Sequence, residues 1–421
     1  MMQDAHRGSR AAVVIIGGGQ AGAEAATLLR QNRFEKRIVL IGAEHELPYM
    51  RPPLSKAFLA REIGKEALIY KAAAAYEKAA VEMQLGVSVE EIDRHTKTLK
   101  FSGEETLGYE KLIIATGGRA RLLTVPGADL HNILYLRTIA DVEALQPQME
   151  AGRRVVVVGG GYIGLEAAAV AVNRGLAVKV LESAPRVLAR VTAPSLSSYY
   201  ERVHRAAGVD IRTGVTVSGF APEGGEGAVG LVACDGGETF AADFVLIGIG
   251  LVPNTELAEE ARLDVDDGIV VDAESRTSDP DIYAIGDCAM HAHHGFLRRK
   301  IRLESVPNAL EQARAAAASI TGRPIPEAAA PWFWSDQYDL KLQMVGLPDD
   351  YDELAIRGRL DSSSFIAFYL KEGVVIAADA VNRPGDFMAA KRIVGERMKI
   401  SAARLKDETQ PLKALLQAAA A

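Results

Sequence analysis

Two glycine-rich turns, about 140 residues apart, constrain this chain more than any other feature of its sequence. The first is Gly17–Gly22, with the sequence GGGQAG, and the second is Gly159–Gly164, with the sequence GGGYIG. Each follows an apolar, β-branched run typical of a buried parallel strand and precedes an alanine-rich helical stretch. Glycines at such a strand-to-helix turn let backbone amides approach a pyrophosphate, whose charge the helix N-terminus stabilises. The chain is therefore predicted to bind two dinucleotides.

A carboxylate follows the next predicted strand in each copy. Glu44 comes after Arg37–Ile41, and Glu182 comes after Ala177–Leu181. An acidic residue roughly 20 residues beyond the glycines typically accepts hydrogen bonds from the ribose of the nucleotide. One fingerprint alone would also fit a glycine-rich turn without a nucleotide, but two complete copies favour binding.

Composition excludes several other classes of protein. A length of 421 residues predicts two or three domains, and 48% hydrophobic with 24% charged residues is typical of a soluble globular chain. The net charge of −7 disfavours binding to nucleic acid or anionic membranes. Neither a membrane-spanning stretch nor a signal-peptide core before Ala11 is evident, so we expect a cytoplasmic location. Cys234 and Cys288 lie too far apart for a CxxC centre, so the chemistry is expected to come from cofactors.

The order of the patterns predicts an α/β fold in which one dinucleotide domain is inserted into another. The first Rossmann-like domain is predicted at 1–118 and 250–328, because Thr277–Asp287 resembles the closing segment of such a domain. The inserted domain is predicted at 119–249, with a helix within Leu136–Glu150. From Pro331 onward, alternating apolar runs and a helical stretch at Asp386–Met398 predict an α+β domain at 329–421.

Together these features resemble a known family, the FAD-dependent, NADH-using flavoprotein reductases that serve ferredoxins or rubredoxins. Putidaredoxin reductase and the oxygenase ferredoxin reductases belong to it, and its fold is that of glutathione reductase and the pyridine nucleotide-disulfide oxidoreductases. The resemblance covers nearly the whole chain. The motifs that carry it are Pro52–Lys56 (PPLSK), Ala115–Gly118 (ATGG), Gly159–Glu166, Gly286-Asp287, Glu304–Ala309 (ESVPNA) and Pro331–Gln337 (PWFWSDQ).

The resemblance implies FAD at the first glycine turn and NADH at the second. The matching FAD positions are Gly17, Gly19, Gly22, Glu44, Lys56, Val89, Arg137, Asp287, Val306 and Trp334. The matching NADH positions are Gly159, Gly161, Gly164 and Glu182. A carboxylate at position 182 repels a 2′-phosphate and favours NADH over NADPH, although Arg186 lies close to it in sequence.

Several of these positions also have a purely structural interpretation. Val306 would lie near the flavin pyrimidine edge, where a helix N-terminus favours negative charge, or it simply begins a surface helix. Trp334 would shield the flavin edge, or it packs within the C-terminal domain.

Three residues match the catalytic positions of the family. Lys56 and Glu166 match a charged pair near the reactive flavin nitrogen. Without the resemblance, Glu166 would be assigned to a solvated helix face and Lys56 to a charge at the start of a helix. Tyr162 matches an aromatic residue that occupies the nicotinamide's stacking place until NADH displaces it. A tyrosine in a first helical turn can equally be a packing residue.

The predicted function is an NADH-dependent ferredoxin reductase that passes electrons from NADH through FAD, one at a time, to a 2Fe-2S ferredoxin of a monooxygenase or dioxygenase system. A rubredoxin is the alternative acceptor. A flavoprotein whose redox state controls partner binding, as in relatives of apoptosis-inducing factor, is an alternative of another class. A disulfide reductase, or an oxidase that reduces oxygen or peroxide, is disfavoured because Leu54-Ser55-Lys56 occupies the region where those relatives carry a reactive thiol. Cys288 is interpreted as a buried small hydrophobic residue.

Two surface features complete the predictions. The densest basic run is Arg298, Arg299, Lys300 and Arg302, which is the candidate docking patch for an acidic ferredoxin, although charge runs are commonly only solvated. His291, His293 and His294 lie close together in a predicted loop without carboxylate or thiol partners at ligand spacing, so no metal site is predicted.

Overall fold

The computed structural model describes residues 10–103, 105–222 and 227–418. Its helices are α1 (Gln20–Gln31), α2 (Ala73–Lys78), α3 (Ile139–Leu145), α4 (Tyr162–Asn173), α5 (Pro194–Ala206), α6 (Glu256–Glu260), α7 (Val306–Ile320), α8 (Pro384–Gly395), α9 (Ala402–Lys406) and α10 (Leu412–Ala418). Short 3₁₀ turns lie at Pro52–Ser55, Lys65–Leu68, Gln146–Gln148 and Gly286–Cys288.

The chain also forms 26 strands within the described residues. They are β1 (Arg10–Ile16), β2 (Ile38–Gly42), β3 (Val81–Leu85), β4 (Val89–Asp93), β5 (Thr98–Phe101), β6 (Thr106–Ile114), β7 (Gly118–Ala120), β8 (Ile133–Tyr135), β9 (Arg154–Val158), β10 (Ala177–Glu182), β11 (Asp210–Thr213), β12 (Val217–Pro222), β13 (Val229–Cys234), β14 (Thr239–Ala241), β15 (Phe244–Ile247), β16 (Leu251–Pro253), β17 (Val265–Asp266), β18 (Gly268–Val271), β19 (Ile282–Ala284), β20 (Ala289–His291), β21 (Ile301–Arg302), β22 (Trp332–Gln337), β23 (Leu340–Gly346), β24 (Glu353–Gly358), β25 (Phe365–Lys371) and β26 (Val374–Val381).

The described residues form two compact units. The first unit comprises Met1–Met50, Glu66–Arg119 and Val252–Ala329, and the second comprises Arg51–Lys65, Ala120–Leu251 and Ala330–Ala421. The predicted boundaries near residues 118, 250 and 328 lie within one or two residues of these divisions, while Arg51–Lys65 groups with the second unit. The division into three domains with separate cofactors stays a prediction.

The first unit is built on a doubly wound parallel sheet. Its main path runs β3-β2-β1-β6, with β19 also parallel to β6 and the antiparallel strands β5 and β4 beyond. The apolar residues of β1 are buried, and those on one face pack with alanines of α1 and α7. Those on the other face pack against β4, β5 and β18. Burial on both faces explains why β1 is a continuous β-branched run.

The second unit combines a parallel and an antiparallel sheet. The parallel sheet has the order β11-β10-β9-β15-β8, and the antiparallel sheet has the order β22-β23-β26-β25-β24. The expected α/β fold with a C-terminal α+β portion is therefore confirmed. The helix predicted within Leu136–Glu150 is shorter than that stretch: Thr138 caps α3, and the turn containing Pro147 follows it.

Candidate functional site

The first glycine turn fits a pyrophosphate. Gly17 adopts φ +123°, and a Cβ there would lie 2.1 Å from the Ala115 carbonyl oxygen. A Cβ on Gly22 would lie 2.1 Å from the Gly17 carbonyl oxygen, so α1 packs directly on the turn. At Gly19, which caps α1, a Cβ would meet no described atom within 4 Å. The backbone is therefore packed on its protein side and open at the helix N-terminus, where an anion binds.

The second glycine turn repeats this geometry in the second unit. Gly159 adopts φ +108°, and its Cβ would lie 2.3 Å from the Gly248 carbonyl oxygen. A Cβ on Gly164 would lie 2.2 Å from the Gly159 carbonyl oxygen. Gly161 caps α4, and within the described part of the chain a Cβ there would have no neighbour within 4 Å. The residues predicted to contact two pyrophosphates thus form two matching cradles.

The two predicted ribose carboxylates are held differently. Glu182, at the end of β10, accepts hydrogen bonds from the Gly160 amide and the Ala184 amide, each at 2.7 Å. Glu44, just beyond β2, accepts a hydrogen bond from the Tyr49 hydroxyl at 2.6 Å. Glu182 is therefore fixed directly to its glycine turn, with its negative charge where a nucleotide ribose would bind.

Arg186 does not offset this charge. Its guanidinium donates to the Ala189 carbonyl at 2.8 Å, the Thr192 carbonyl at 2.9 Å and the Ser197 hydroxyl at 2.6 Å. Because these bonds engage both terminal nitrogens, the guanidinium is held by Ala189, Thr192 and Ser197. The geometry favours NADH over NADPH.

Lys56 and Glu166 lie together within the second unit. The Lys56 Nζ donates to the Glu166 Oε2 at 2.7 Å and to the Pro52 carbonyl at 3.0 Å. The Ser55 hydroxyl donates to the same carboxylate oxygen at 2.5 Å, and the Ser335 hydroxyl donates to Oε1 at 2.6 Å. Only 2% of Glu166 is exposed, so its charge depends on these partners rather than on water. Ser55 lies in the PPLSK motif and Ser335 lies in the PWFWSDQ motif, but neither serine was assigned a role from the sequence.

Tyr162 is the first residue of α4 and packs against the C-terminal sheet. Its ring centroid lies 5.2 Å from that of Phe333, and its hydroxyl donates to the Met344 sulfur at 2.7 Å. Burial, and then the charge of Asp379, raise the pKa of Tyr162 well above its ordinary value, so the phenol stays neutral. These contacts satisfy the packing interpretation. The displacement of Tyr162 by NADH stays a prediction.

The remaining predicted FAD residues divide between the two units. The first unit holds Val89, Asp287 and Val306, and the second holds Arg137 and Trp334. The Arg137 carbonyl accepts a hydrogen bond from Arg51 at 2.7 Å. The Trp334 ring lies 5.6 Å from that of Trp332 and 6.2 Å from that of Phe333. Their proximity to a bound flavin stays a prediction.

In the first unit, side chains of α7 hold the turn that contains Asp287. Ser305 caps the helix by accepting from the Asn308 amide at 3.2 Å, and Val306 is the first residue of α7. The Gln312 Oε1 accepts from the Gly286 amide at 2.8 Å. This hydrogen bond holds α7 next to the Gly286–Cys288 turn. Val306 of the helix and Asp287 of the turn are both predicted FAD contacts, and contact with one cofactor requires them to be held together.

The histidines and cysteines have structural surroundings. The His291 and His294 rings lie 4.8 Å apart in buried positions, and burial lowers the pKa of both, that of His294 to about 4. Within the described ranges, no group of three or more His, Cys, Asp or Glu could hold a metal ion. Cys288 is buried, its thiol donates to the Ile285 carbonyl at 3.3 Å, and burial raises its pKa. Cys234 is also buried with a raised pKa, so neither thiol is set up as a nucleophile.

The basic run of the first unit is partly neutralised. Lys300 pairs with Asp266, and Arg302 pairs with Asp267 and Glu304. Only 8% of the Arg302 side chain is exposed, whereas Arg298 and Arg299 are exposed. The exposed basic side chains of this run are therefore those of Arg298, Arg299 and Lys300. Across the described residues, no helix is both long and apolar enough to cross a membrane.

The paired dinucleotide cradles and the appended antiparallel domain define a class of flavoprotein. Residues 11–313 match the pyridine nucleotide-disulphide oxidoreductase family, and residues 332–416 match the reductase C-terminal family. The chain belongs to the pyridine nucleotide-disulphide oxidoreductase family. It is an oxidoreductase with FAD and NADH as cofactors, in agreement with the prediction.

Comparison with individual proteins shows which reductases this chain is similar to. Putidaredoxin reductase CamA from Pseudomonas putida is 46% identical over 412 residues, which cover 97% of each chain. A rubredoxin-NAD(+) reductase from Pseudomonas putida is 39% identical over 373 residues, covering 89% of this chain and 96% of the relative. The reductase in the crystal structure of the covalent putidaredoxin reductase-putidaredoxin complex matches with a TM-score of 0.95 and 45% identity, over 99% of this chain and 100% of that chain.

Proposed function

We propose that this chain is an NADH-dependent ferredoxin reductase that supplies a monooxygenase or dioxygenase through a 2Fe-2S ferredoxin. The observation that carries this proposal is its similarity to putidaredoxin reductase along the full length of both chains. The buried, raised-pKa thiols support it, because they are unsuited to the thiol relay of disulfide reductases. A cytoplasmic location is part of the proposal.

The residues of the chain have complementary parts in this reaction. FAD, when bound, accepts a hydride from NADH and releases electrons singly, which matches a two-electron donor to a one-electron acceptor. Gly17, Gly19 and Gly22 would hold its pyrophosphate. Glu44, Val89, Arg137, Asp287, Val306 and Trp334 are the other proposed FAD contacts.

The second unit would hold NADH at Gly159, Gly161, Gly164 and Glu182. Lys56 and Glu166 form a buried charge pair that the family resemblance places at the reacting end of the flavin. Because water is largely excluded from this pair, its fixed charges act on the reacting atoms more strongly than exposed charges would. Tyr162 keeps a neutral, packed ring until the nicotinamide takes its place.

The test is anaerobic reduction of a purified 2Fe-2S ferredoxin by NADH with this protein as catalyst. We expect the ferredoxin to bleach rapidly and at a rate that falls with added salt. A rubredoxin assayed in parallel distinguishes the alternative acceptor. Flavin that NADH reduces without onward transfer to either carrier would contradict the proposal and favour a redox-switch protein.

We further propose that Arg298, Arg299, Lys300 and Arg302 contribute to ferredoxin docking, and we test Arg298 and Arg299 first because both side chains are exposed. The double variant Arg298→Glu/Arg299→Glu should raise the KM for ferredoxin several-fold and flatten its salt dependence. Reduction of ferricyanide, which needs no docking, should be unchanged. Lys78→Glu, at an exposed lysine elsewhere in the first unit, is the matched control. Equal effects of both variants on the KM would rule out a specific patch.

A further inference from the structure

A buried line of hydrogen bonds leads from Glu166 to His204 of α5. The Ser335 hydroxyl contacts the carboxylate at 2.6 Å, and Gln337 Nε2 lies 3.2 Å from that hydroxyl. Gln337 Oε1 lies 2.8 Å from His204 Nε2, and His204 Nδ1 lies 2.9 Å from the Tyr338 hydroxyl. Ser335 and His204 are fully buried, and Gln337 is 2% exposed. All these residues belong to the second unit.

Strand alternation explains how one motif supplies two members of the line. Residues two apart in a strand share a face of the sheet, so Phe333, Ser335 and Gln337 of β22 lie on one face. Phe333 packs on Tyr162, and Ser335 and Gln337 are the buried polar residues of the strand. The sequence PWFWSDQ thus places an aromatic ring, a hydroxyl and an amide in a row.

The chemistry of each group fixes the direction of every bond. An ionised carboxylate only accepts, so Ser335 donates its one proton to Glu166. That hydroxyl then has no proton left for Gln337, so Gln337 must donate through Nε2 and accept through Oε1. His204 therefore donates from Nε2, its Nδ1 carries the lone pair, and the Tyr338 hydroxyl donates to it. Burial lowers the pKa of His204, which favours this neutral tautomer.

A line of donors that all point toward one carboxylate stabilises its negative charge, because each bond polarises the next. We propose that His204, Gln337 and Ser335 form a positioning chain that holds the Glu166 carboxylate directed at Lys56, and thereby fixes the geometry of that pair. This proposal rests on the proposed role of Lys56 and Glu166 in hydride transfer. The amide of Gln337 does not readily relay a proton, so the chain acts by orientation and charge rather than as a proton path.

The first test reads the tautomer directly, without turnover. In the flavin-bound protein labelled with nitrogen-15 histidine, we expect His204 to be neutral with its proton on Nε2 from about pH 6 to 8. His204→Gln assigns its signals among the eight histidines. A proton on Nδ1, or titration to the cation in this range, would overturn the directional chain.

The second test removes the donor nearest to Glu166. Without this hydroxyl, the Glu166 carboxylate loses a hydrogen bond that fixes its orientation. In Ser335→Ala, flavin reduction by NADH should therefore slow about tenfold, with little change in the KM for NADH. Gln337→Met should slow the reaction by less, and Ser335→Thr, which keeps the hydroxyl, should retain the wild-type rate.

Control variants distinguish an error in the proposed positioning chain from an error in the proposed role of the Lys56–Glu166 pair. The Ser195 hydroxyl is buried with no hydrogen-bond partner among the described residues, so Ser195→Ala should leave the rate of flavin reduction unchanged. If Glu166→Gln slows hydride transfer while Ser335→Ala and Gln337→Met keep the wild-type rate, the positioning chain is wrong and the proposed role of the Lys56–Glu166 pair stands. If Glu166→Gln itself has no effect, the proposed role of the pair is wrong.

Discussion

The two dinucleotide-type helices carry a glutamate at the same place but use it differently. Glu24 on α1 and Glu166 on α4 each lie seven residues beyond the first glycine of their turn, and each pairs with a lysine from outside the helix. Glu24 pairs with Lys71 at 2.8 Å with 14% of its side chain exposed, and the Tyr70 hydroxyl also donates to it. Glu166 pairs with Lys56 at 2.7 Å, is 2% exposed and also accepts from Ser55 and Ser335. Equivalent positions in the two units thus hold an ion pair near the surface and a buried charge within a polar chain.

The largest expected difference between the two units concerns which nucleotide each one binds. Gly161→Asp places a carboxylate at the N-cap of α4, where aspartate suits the helix but repels a pyrophosphate. We expect NADH affinity to fall about 1,000-fold, roughly 4 kcal/mol, while FAD stays bound and dithionite still reduces it. Gly19→Asp in the first unit should instead prevent FAD binding. Titration of NADH and the visible spectrum separate the two outcomes, and FAD loss from Gly161→Asp would reverse the assignment.

The second prediction compares substitutions of Glu166 and Glu24. Glu166→Gln leaves the partly buried Lys56 without a countercharge, so flavin reduction by NADH should slow about 30-fold, roughly 2 kcal/mol of activation free energy. Glu24→Gln should keep this rate within about twofold and cost about 1 kcal/mol of stability. Stopped-flow reduction and denaturant unfolding measure the two effects. A similar slowing by both substitutions would show that the positions are not functionally distinct.

A third comparison concerns the sign of pH-dependent stability. Burial raises the pKa of Glu24, but hydrogen bonds from Lys71 and Tyr70 outweigh burial and leave it below the ordinary value. The stability from Glu24 is therefore present above its unfolded pKa and lost as the pH falls. In the second unit, burial raises the pKa of Asp379 to about 6 although Tyr369 and Thr192 donate to it. Its contribution is present below about pH 4 and lost as the pH rises through about 6.

Asp379→Asn should therefore gain about 1.5 kcal/mol of stability relative to wild type between pH 5 and pH 7.5. Unfolding by denaturant at the two pH values measures this difference. Asn can still accept from Tyr369 and Thr192, so the substitution tests charge more than shape. A constant difference between the proteins at both pH values would contradict an ionised, buried Asp379.

The smallest expected effect is on nucleotide choice. Glu182→Gln removes the charge that repels a 2′-phosphate but retains an acceptor for the Gly160 amide. The ratio of kcat/KM for NADPH to that for NADH should rise about 5-fold, roughly 1 kcal/mol. Glu44→Gln, the equivalent change in the first unit, should leave the ratio unchanged. Steady-state assays with both nucleotides test this, and a shift in the Glu44 variant would connect both carboxylates to nucleotide choice.

Sequence reasoning predicted the elements whose signals are local. The glycine turns, Glu44 and Glu182 follow strands that read as buried runs, and the structure places both turns at helix N-termini. The motif resemblance named Lys56 and Glu166, which are 110 residues apart and lie in contact. The sequence did not indicate the buried hydrogen bonds of His204 or the cluster of Asp379, Tyr369 and Thr192. His204 lies 133 residues from Gln337 and Thr192 lies 187 residues from Asp379, so no local period connects them. Tyr369 and Asp379 are only 10 residues apart, but they lie on separate strands, β25 and β26.

By itself, the sequence determined the repeated strand-turn-helix units, the appended antiparallel sheet and the cofactor class, because each is encoded in apolar periodicity or in glycines within a short window. The tertiary structure decided the states of the polar residues. Glu24 and Glu166 occupy the same motif position, and only packing against different segments exposes one and buries the other. Burial makes a charge depend on its few hydrogen-bond partners, and those partners come from distant parts of the chain.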